Sequence, residues 1–395
     1  MFRVQRLLKY SLAALLVLAL LPYAWGPVYR FPEPARFSGS SWWNPYEQLV
    51  GTWQRANLHA HGRAWVGLTN GRQPDVEVVQ RYRDLGYDVA GVSNYQKIAA
   101  HHGIPTLPLY EHGYSLAKSH QVAIGAREVE WFDFPLWQFV SHKQYVIDRV
   151  RKKTALVGLA HPPSRDAYTL EDLRQLTGYH FIEIVNGPFS AFDGWDAALS
   201  AGHPVWGMAN DDTHDLTDPR RTAAGWNMVD AATAEPSAIV DALGAGRSYS
   251  VLRTGEIEAA NATTLDDVQL QNATLTVSVS GAASTFEFIG QDGALRATIK
   301  DTLSASYTLS GSDTYVRTVV TTPQTVLYLN PVVRYNGGRL SAPVATVDVA
   351  RTWMLRASIG LGTLAIAAVA VARRRRTAIY NLQIPIYKAH DEVRL

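Results

Sequence analysis

Asn57-Leu58-His59-Ala60-His61 closes the apolar run 53–59, and the fold reading starts there. On a strand, residues two apart share a face, so His59 and His61 present both imidazoles to the same side. Each ring nitrogen needs a partner, which makes the pair a poor core element and a good metal-ligand pair. Downstream the chain repeats the theme in short islands. They are Gly125-Ala126-Arg127-Glu128, Ala160-His161-Pro162, Glu183-Ile184-Val185-Asn186 and Asn210-Asp211-Asp212-Thr213-His214. Each follows or ends a short apolar stretch with strand character. Side chains at the ends of several strands converge only if those strands lie side by side, as at the mouth of a barrel.

The pattern around these islands alternates strand and helix. Strands are expected at 53–59, 88–93, 122–127, 155–160, 181–185, 204–209 and 225–229. Helices are expected near 75–85, 112–119, 142–152, 169–177, 193–201 and 235–244. Thr169-Leu170-Glu171-Asp172 and Glu235-Pro236-Ser237 carry helix-start signals, and Gly86, Gly178, Gly202 and Gly246 fall where helices would stop. Such alternation implies parallel strands with crossover helices. The expected fold for 51–247 is therefore α/β, a TIM-like βα barrel or an open sheet.

After Gly246 the composition shifts to Thr, Val, Ser and Ala, with period-two stretches such as Thr274-Leu275-Thr276-Val277-Ser278-Val279. Turn residues recur at Gly281, Gly290-Gln291-Asp292-Gly293 and Asn336-Gly337-Gly338. Residues 248–350 therefore read as a small antiparallel β-sandwich. Asn261 and Asn272 each open an Asn-x-Thr sequon.

The ends are apolar. Residues 10–27 follow Arg3, Arg6 and Lys9, and residues 353–372 end at Arg373-Arg374-Arg375-Arg376. Each is near the roughly 20 residues a membrane span requires. Both basic clusters lie on the terminal side, so the positive-inside rule puts both termini in the cytoplasm and 28–352 outside it. The expected organisation is an anchor at 1–27, a Pro- and aromatic-rich linker at 28–50, the barrel, the sandwich, a second span and a tail at 373–395. The 395-residue chain contains no cysteine, which excludes disulfides and thiolate ligands. Its net charge of +2 does not favour a nucleic-acid partner. The expected partners are the lipid bilayer and a phosphorylated or ester substrate, either a small molecule or part of the envelope.

The order His-x-His, Gly-(x)-x-Glu, Ala-His-Pro, Glu-x-x-Asn, Asp-x-His resembles the PHP (polymerase and histidinol phosphatase) family of metal-dependent hydrolases, over roughly 51–247. The resemblance implies a distorted seven-stranded βα barrel, divalent Zn, Mn or Fe, and phosphoester hydrolysis. It carries His59, His61, Glu128, His161, Asp212 and His214 over as metal ligands, with Glu130 a fallback for Glu128. His120 and His142 are weaker candidates. Where the family has Thr-Asp-His, this chain has Ser93-Asn94-Tyr95. One metal position is therefore expected to weaken, leaving one or two ions. Arg63 and Arg165 follow ligand-bearing strand ends and are the candidate catalytic residues, as planar forks for a phosphate, with Arg220 and Arg221 behind them. The expected activity is hydrolysis by metal-activated water on the extracytoplasmic side. The rival reading is a degenerate barrel serving as a ligand-binding or scaffold protein.

Overall fold

A computed structural model describes residues 2–99, 106–187, 189–256 and 263–391. Sequon residue Asn261 lies outside the described residues, as does the end of the expected tail, 392–395. The chain separates into two compact units, one of residues 30–346 and one formed by the two ends.

Within the larger unit, the described strands form several open sheets rather than a closed barrel. One sheet runs in the order Trp206–Asn210, Phe181–Asn186, Leu156–Leu159, Gln121–Ile124, Leu109–His112. Its first three strands are parallel. Every residue of Leu156–Leu159 and Phe181–Asn186 is buried, as expected of strands covered on both faces. One strand of this sheet departs from the all-parallel expectation. Gln121–Ile124 is antiparallel to both Leu156–Leu159 and Leu109–His112. The stretch 112–119, expected as a helix, is instead the end of strand Leu109–His112 and a turn.

A second, larger sheet contains Trp53–Asn57 and the two-residue Val89–Ala90, paired in parallel. Gly225–Asp230 joins it antiparallel and continues through Ser248–Arg253 and Thr325–Leu329 into Tyr315–Thr321 and Ser284–Gly290. The strands on either side of residue 247 are thus hydrogen-bonded in one sheet. Two single bridges, Tyr95 with Glu111 and Ala60 with Thr213, tie the ends of the two sheets together. A three-stranded sheet of Thr264–Gln271, Thr274–Ser280 and Ser304–Thr308 completes the β-rich part. Thr274–Ser280 alternates buried and half-buried residues, so one face packs. Leu275, Val277 and Val279 share a core with Phe286, Phe288 and Val320 of the larger sheet. Asn272 sits in the turn before Thr274–Ser280.

The helices Asp75–Asp84, Val140–Arg151, Leu170–Gln175, Phe192–Ser200 and Pro236–Gly244 match the expected ones closely. Thr169 caps the third with a reciprocal Thr169–Asp172 box. Helix Phe192–Ser200 is held to strand Tyr315–Thr321 by a buried fork. Asp196 accepts from Arg317 Nε at 2.8 Å and Nη2 at 2.7 Å, and from the Tyr315 hydroxyl at 3.0 Å.

The other unit holds helices Phe2–Trp25 and Val349–Asp391. Their stretches Leu7–Trp25 and Val349–Thr377 are long and apolar enough to cross a membrane. Arg356 donates to the Trp25 carbonyl at 2.8 Å, and Thr352 Oγ1 accepts from the Val28 amide at 3.0 Å. The second helix continues through the expected tail to Asp391.

Candidate metal centre

Strands 53–57, 156–159, 181–186 and 206–210 deliver their C-terminal ends to one edge of the fold. The reversed strand Gln121–Ile124 delivers its N-terminus there instead. His112 faces Gln121, and Gln121 faces Leu159, in register. The Ala160 amide then donates to the His120 carbonyl at 3.2 Å. The residue before this strand, His120, therefore joins the site, and the residues after it cannot.

That reversal relocates one expected ligand. Glu128 lies beyond the far end of Gln121–Ile124, with a side chain 66% exposed and Lys153 Nζ at 3.4 Å. Its fallback Glu130 is bound to Arg149 at 2.9 Å and to the Phe132 amide at 2.8 Å, also away from the cluster. The glutamate at the site is Glu111, on the strand that the sequence pattern did not separate from a helix. Its carboxylate is fully buried and faces four imidazoles. Oε1 lies 2.6 Å from His120 Nδ1 and 3.0 Å from His161 Nε2. Oε2 lies 3.1 Å from His61 Nε2 and 3.4 Å from His59 Nε2. Asp212 Oδ1 closes the arrangement at 3.1 Å from His61 Nε2 and 3.3 Å from His59 Nε2.

These spacings fit a divalent ion. Ligands at about 2.0–2.1 Å from a tetrahedral centre lie about 3.3 Å from one another. The four contacts among His59, His61, Glu111 and Asp212 run from 3.1 to 3.4 Å. The donor chemistry agrees. His59 Nε2, His61 Nε2, Glu111 Oε2, Asp212 Oδ1 and His214 Nε2 are buried without a hydrogen-bond partner. So many unsatisfied polar atoms in one place are costly unless a cation meets them. Ligand atoms of His59, His61 and Asp212 fall within 4.8 Å of one another, as do those of His59, Glu111 and His161.

The surroundings orient the ligands. Glu183 Oε1 takes His59 Nδ1 at 3.0 Å and Asn210 Nδ2 at 2.9 Å, while Oε2 takes the His161 amide at 2.8 Å and Asn186 Nδ2 at 2.6 Å. With Nδ1 committed, the His59 ring turns Nε2 toward Asp212 and Glu111, the arrangement expected of a ligand histidine. Asp211 does not face the cluster. It accepts from the Tyr82 hydroxyl at 2.6 Å and the Ala223 amide at 2.7 Å, and burial pushes its pKa up to about 7. His214 hydrogen-bonds the Asp212 carbonyl through Nδ1 at 2.9 Å, so Nε2 carries the free lone pair, and its ring stacks on His61 at 4.2 Å. His161 and Asp212 adopt positive φ, 32° and 47°, backbone strain of the kind that collects at functional sites.

Charge balance points the same way. Burial opposes a proton on His59, but Asp212, Glu183 and Glu111 outweigh it and hold the pKa well above the ordinary value. His61 is also raised against burial, by Asp212 and Glu111. Glu111 is held well below the usual range despite its burial, chiefly by His120 and His59. Two buried carboxylates, Glu111 and Glu183, and the half-buried Asp212 thus draw positive charge toward one point. A divalent ion would supply that charge and engage the imidazole lone pairs directly.

The remaining expectations divide. Asn94 Oδ1 accepts from the Gly62 amide at 2.9 Å, and its Nδ2 donates to the Asp75 carboxylate at 2.9 Å. Both ends are committed, so it offers no ligand. Tyr95 stacks on His61 at 4.5 Å and walls that side. A Cβ at Gly62 would displace the Asp75 carboxylate that holds Asn94. Arg63 is exposed and donates to the Arg72 carbonyl. Arg165 is also exposed, on the wall of a neighbouring cleft. The arginine bordering the groove over His161, Asp212 and His214 is Arg221, with Lys118 beside it. His142 begins helix Val140–Arg151, away from the cluster, with Nδ1 accepting from the Phe139 amide.

No family model matches the chain, and no curated protein matches it. Among solved structures, it is similar to a two-domain protein from Bacteroides vulgatus ATCC 8482 containing a predicted PHP-like metal-dependent phosphoesterase. The identity is 14%, the match covers 80% of this chain and 98% of that one, and the TM-score is 0.41.

Proposed function

We propose that the chain is a metal-dependent hydrolase, a phosphoesterase working at the extracytoplasmic face of a membrane. The observation that carries the reading is the buried, unpaired ligand set around Glu111. One ion would be held by His59, His61, Glu111 and Asp212. A second would be held by the other oxygen of Glu111 with His161 and His120, and His214 Nε2 is free to join either. When bound, such ions lower the pKa of coordinated water to about 7 and polarise a phosphoryl oxygen.

The chain's own residues do the rest. Glu183 fixes the His59 ring, the Asp212 carbonyl fixes the tautomer of His214, and Tyr95 covers His61. Arg221 and Lys118 border the groove and are the cations best placed to attract phosphate oxygens, ahead of Arg63 and Arg165. The phosphoester assignment is supported by the ligand order shared with PHP sequences and by these cations. The extracytoplasmic placement, with both termini cytoplasmic, rests on the basic residues flanking the two apolar helices.

A binder without turnover is the rival, favoured by the commitment of Asn94 to hydrogen bonds. The test is elemental analysis of the purified chain and of a His59→Ala/His61→Ala variant. Each would also be assayed on aryl phosphate mono- and diesters with manganese or zinc. The proposal expects one or two ions per chain and hydrolysis, both lost in the variant. Bound metal with no turnover on any ester would favour the binder. No metal after reconstitution would defeat the hydrolase reading and leave the ligand-binding or scaffold reading.

A further inference from the structure

Beside the ligand cluster lies a wider cleft of about 600 Å³, within the range of ligand pockets. Its inner wall includes Tyr95 and His120, the residues that stack on His61 and contact Glu111. Its apolar lining is Trp65, Leu68, Leu116 and Trp131, interspersed with polar residues such as Asn70, Gln96 and Ser115. The apolar side chains are unusually open to solvent, Leu68 by 90%, Leu116 by 65% and Trp131 by 57%. Exposed apolar side chains grouped around one cleft mark a binding surface.

The walls are pinned through the backbone. Trp65 Nε1 donates to the Tyr95 carbonyl at 2.7 Å, and its ring meets Trp131 edge-on at 5.9 Å. The Tyr114 hydroxyl donates to the Trp131 carbonyl at 3.1 Å, and Arg165 donates to the Leu116 carbonyl at 3.2 Å. The apolar side chains are thus presented without being consumed. Lys118 borders both this cleft and the groove over Asp212 and His214. A positive charge therefore sits where the polar and apolar compartments meet.

Building on the phosphoesterase reading, we propose that this cleft takes the apolar tail of an amphiphilic phosphoester, whose anionic head sits at the ligand cluster. Lys118 and Arg221 complement the head, and Trp65, Leu68, Leu116 and Trp131 cover the tail.

The test uses the full chain in lipid nanodiscs, loaded with manganese. Methyl-, butyl- and octylphosphonate, kept below micelle-forming concentrations, are titrated calorimetrically. Affinity is expected to rise by about twofold to fourfold per methylene until the cleft is filled. Trp131→Ala and Leu116→Ala remove side chains while retaining the carbonyls that their neighbours use, and circular dichroism checks that each folds. Each should cut the octyl-to-methyl affinity ratio by about tenfold, and partition into the disc cancels between wild type and variant. The alkyl phosphate esters are assayed alongside. A flat chain-length dependence in binding, or a ratio unchanged in both variants, overturns the cleft assignment even if the esters are hydrolysed. A length dependence that Trp131→Ala weakens by about tenfold upholds it even if no ester is cleaved, in which case the phosphoesterase reading alone fails.

Discussion

Replacing Glu111 by Gln, beside the same change at Glu128, separates the side-chain cluster formed in the fold from the ligand set suggested by the sequence islands. The Glu111 carboxylate is fully buried, with imidazole nitrogens between 2.6 and 3.4 Å on both oxygens. Glutamine keeps the shape, removes the charge and turns an amide nitrogen toward a ligand atom. Losing a group that merely orients a ligand typically costs 10–100-fold in metal affinity. Losing a bridging ligand should cost at least the upper end, about 100-fold or ~2.8 kcal/mol. The Glu128 side chain is 66% exposed beside Lys153, and a surface pair of that kind contributes about 1 kcal/mol or less. Titration of each purified variant with buffered zinc or manganese, followed by metal analysis, reads the difference. The reasoning predicts weak or absent binding in Glu111→Gln and wild-type binding in Glu128→Gln. The reverse pattern would refute the assignment of the ligand glutamate.

Other expectations follow from the same geometry. Arg221→Ala should lower kcat/KM on a phosphoester by about 100-fold, while Arg63→Ala should change it less than about threefold, because the Arg63 guanidinium is exposed and spent on the Arg72 carbonyl. Asp196→Ala should cost about 3–5 kcal/mol in urea denaturation, because it leaves the buried Arg317 unpaired, and adding Arg317→Met should recover much of it. Burial and Arg151 lower the His180 pKa to about 4, and its Nδ1 accepts the Val157 amide. The unfolded chain then takes up the proton first as pH falls. Stability should be full above about pH 6.5 and decline toward pH 4, by roughly 2–3 kcal/mol given partial exposure, with a shallower slope in His180→Gln.

Much of the fold was legible because the relevant signals are local. The five helices of the larger unit that formed where expected carry amphipathic spacing and stop signals such as Gly86, Gly178, Gly202 and Gly246. The strands that formed where expected are apolar runs bounded by turns. The ends His59-x-His61, His161 and Asp212-x-His214 come together because those strands share a direction. Strand direction itself leaves no local mark. Gln121–Ile124 is as apolar as its parallel neighbours, and only its pairing shows that it runs backwards. That single reversal moves Glu128 out and His120 in. Strand Leu109–His112 was hidden by its brevity, and by a following stretch, 112–119, that could pass for a helix. The available clue was Glu111-His112-Gly113, an acidic and an imidazole side chain at the end of Leu107-Pro108-Leu109-Tyr110, the same grammar as the other islands. The closed barrel was not found among the described residues, because parallel pairing gives way to antiparallel neighbours on both sides of the site.

The central claim is that Glu111 joins His59, His61 and Asp212 around a divalent ion. Anomalous diffraction from crystals grown with zinc tests it most directly. The account predicts a peak about 2.0–2.2 Å from His59 Nε2, His61 Nε2, Glu111 Oε2 and Asp212 Oδ1. A zinc peak elsewhere, with these four side chains empty of metal, would contradict it.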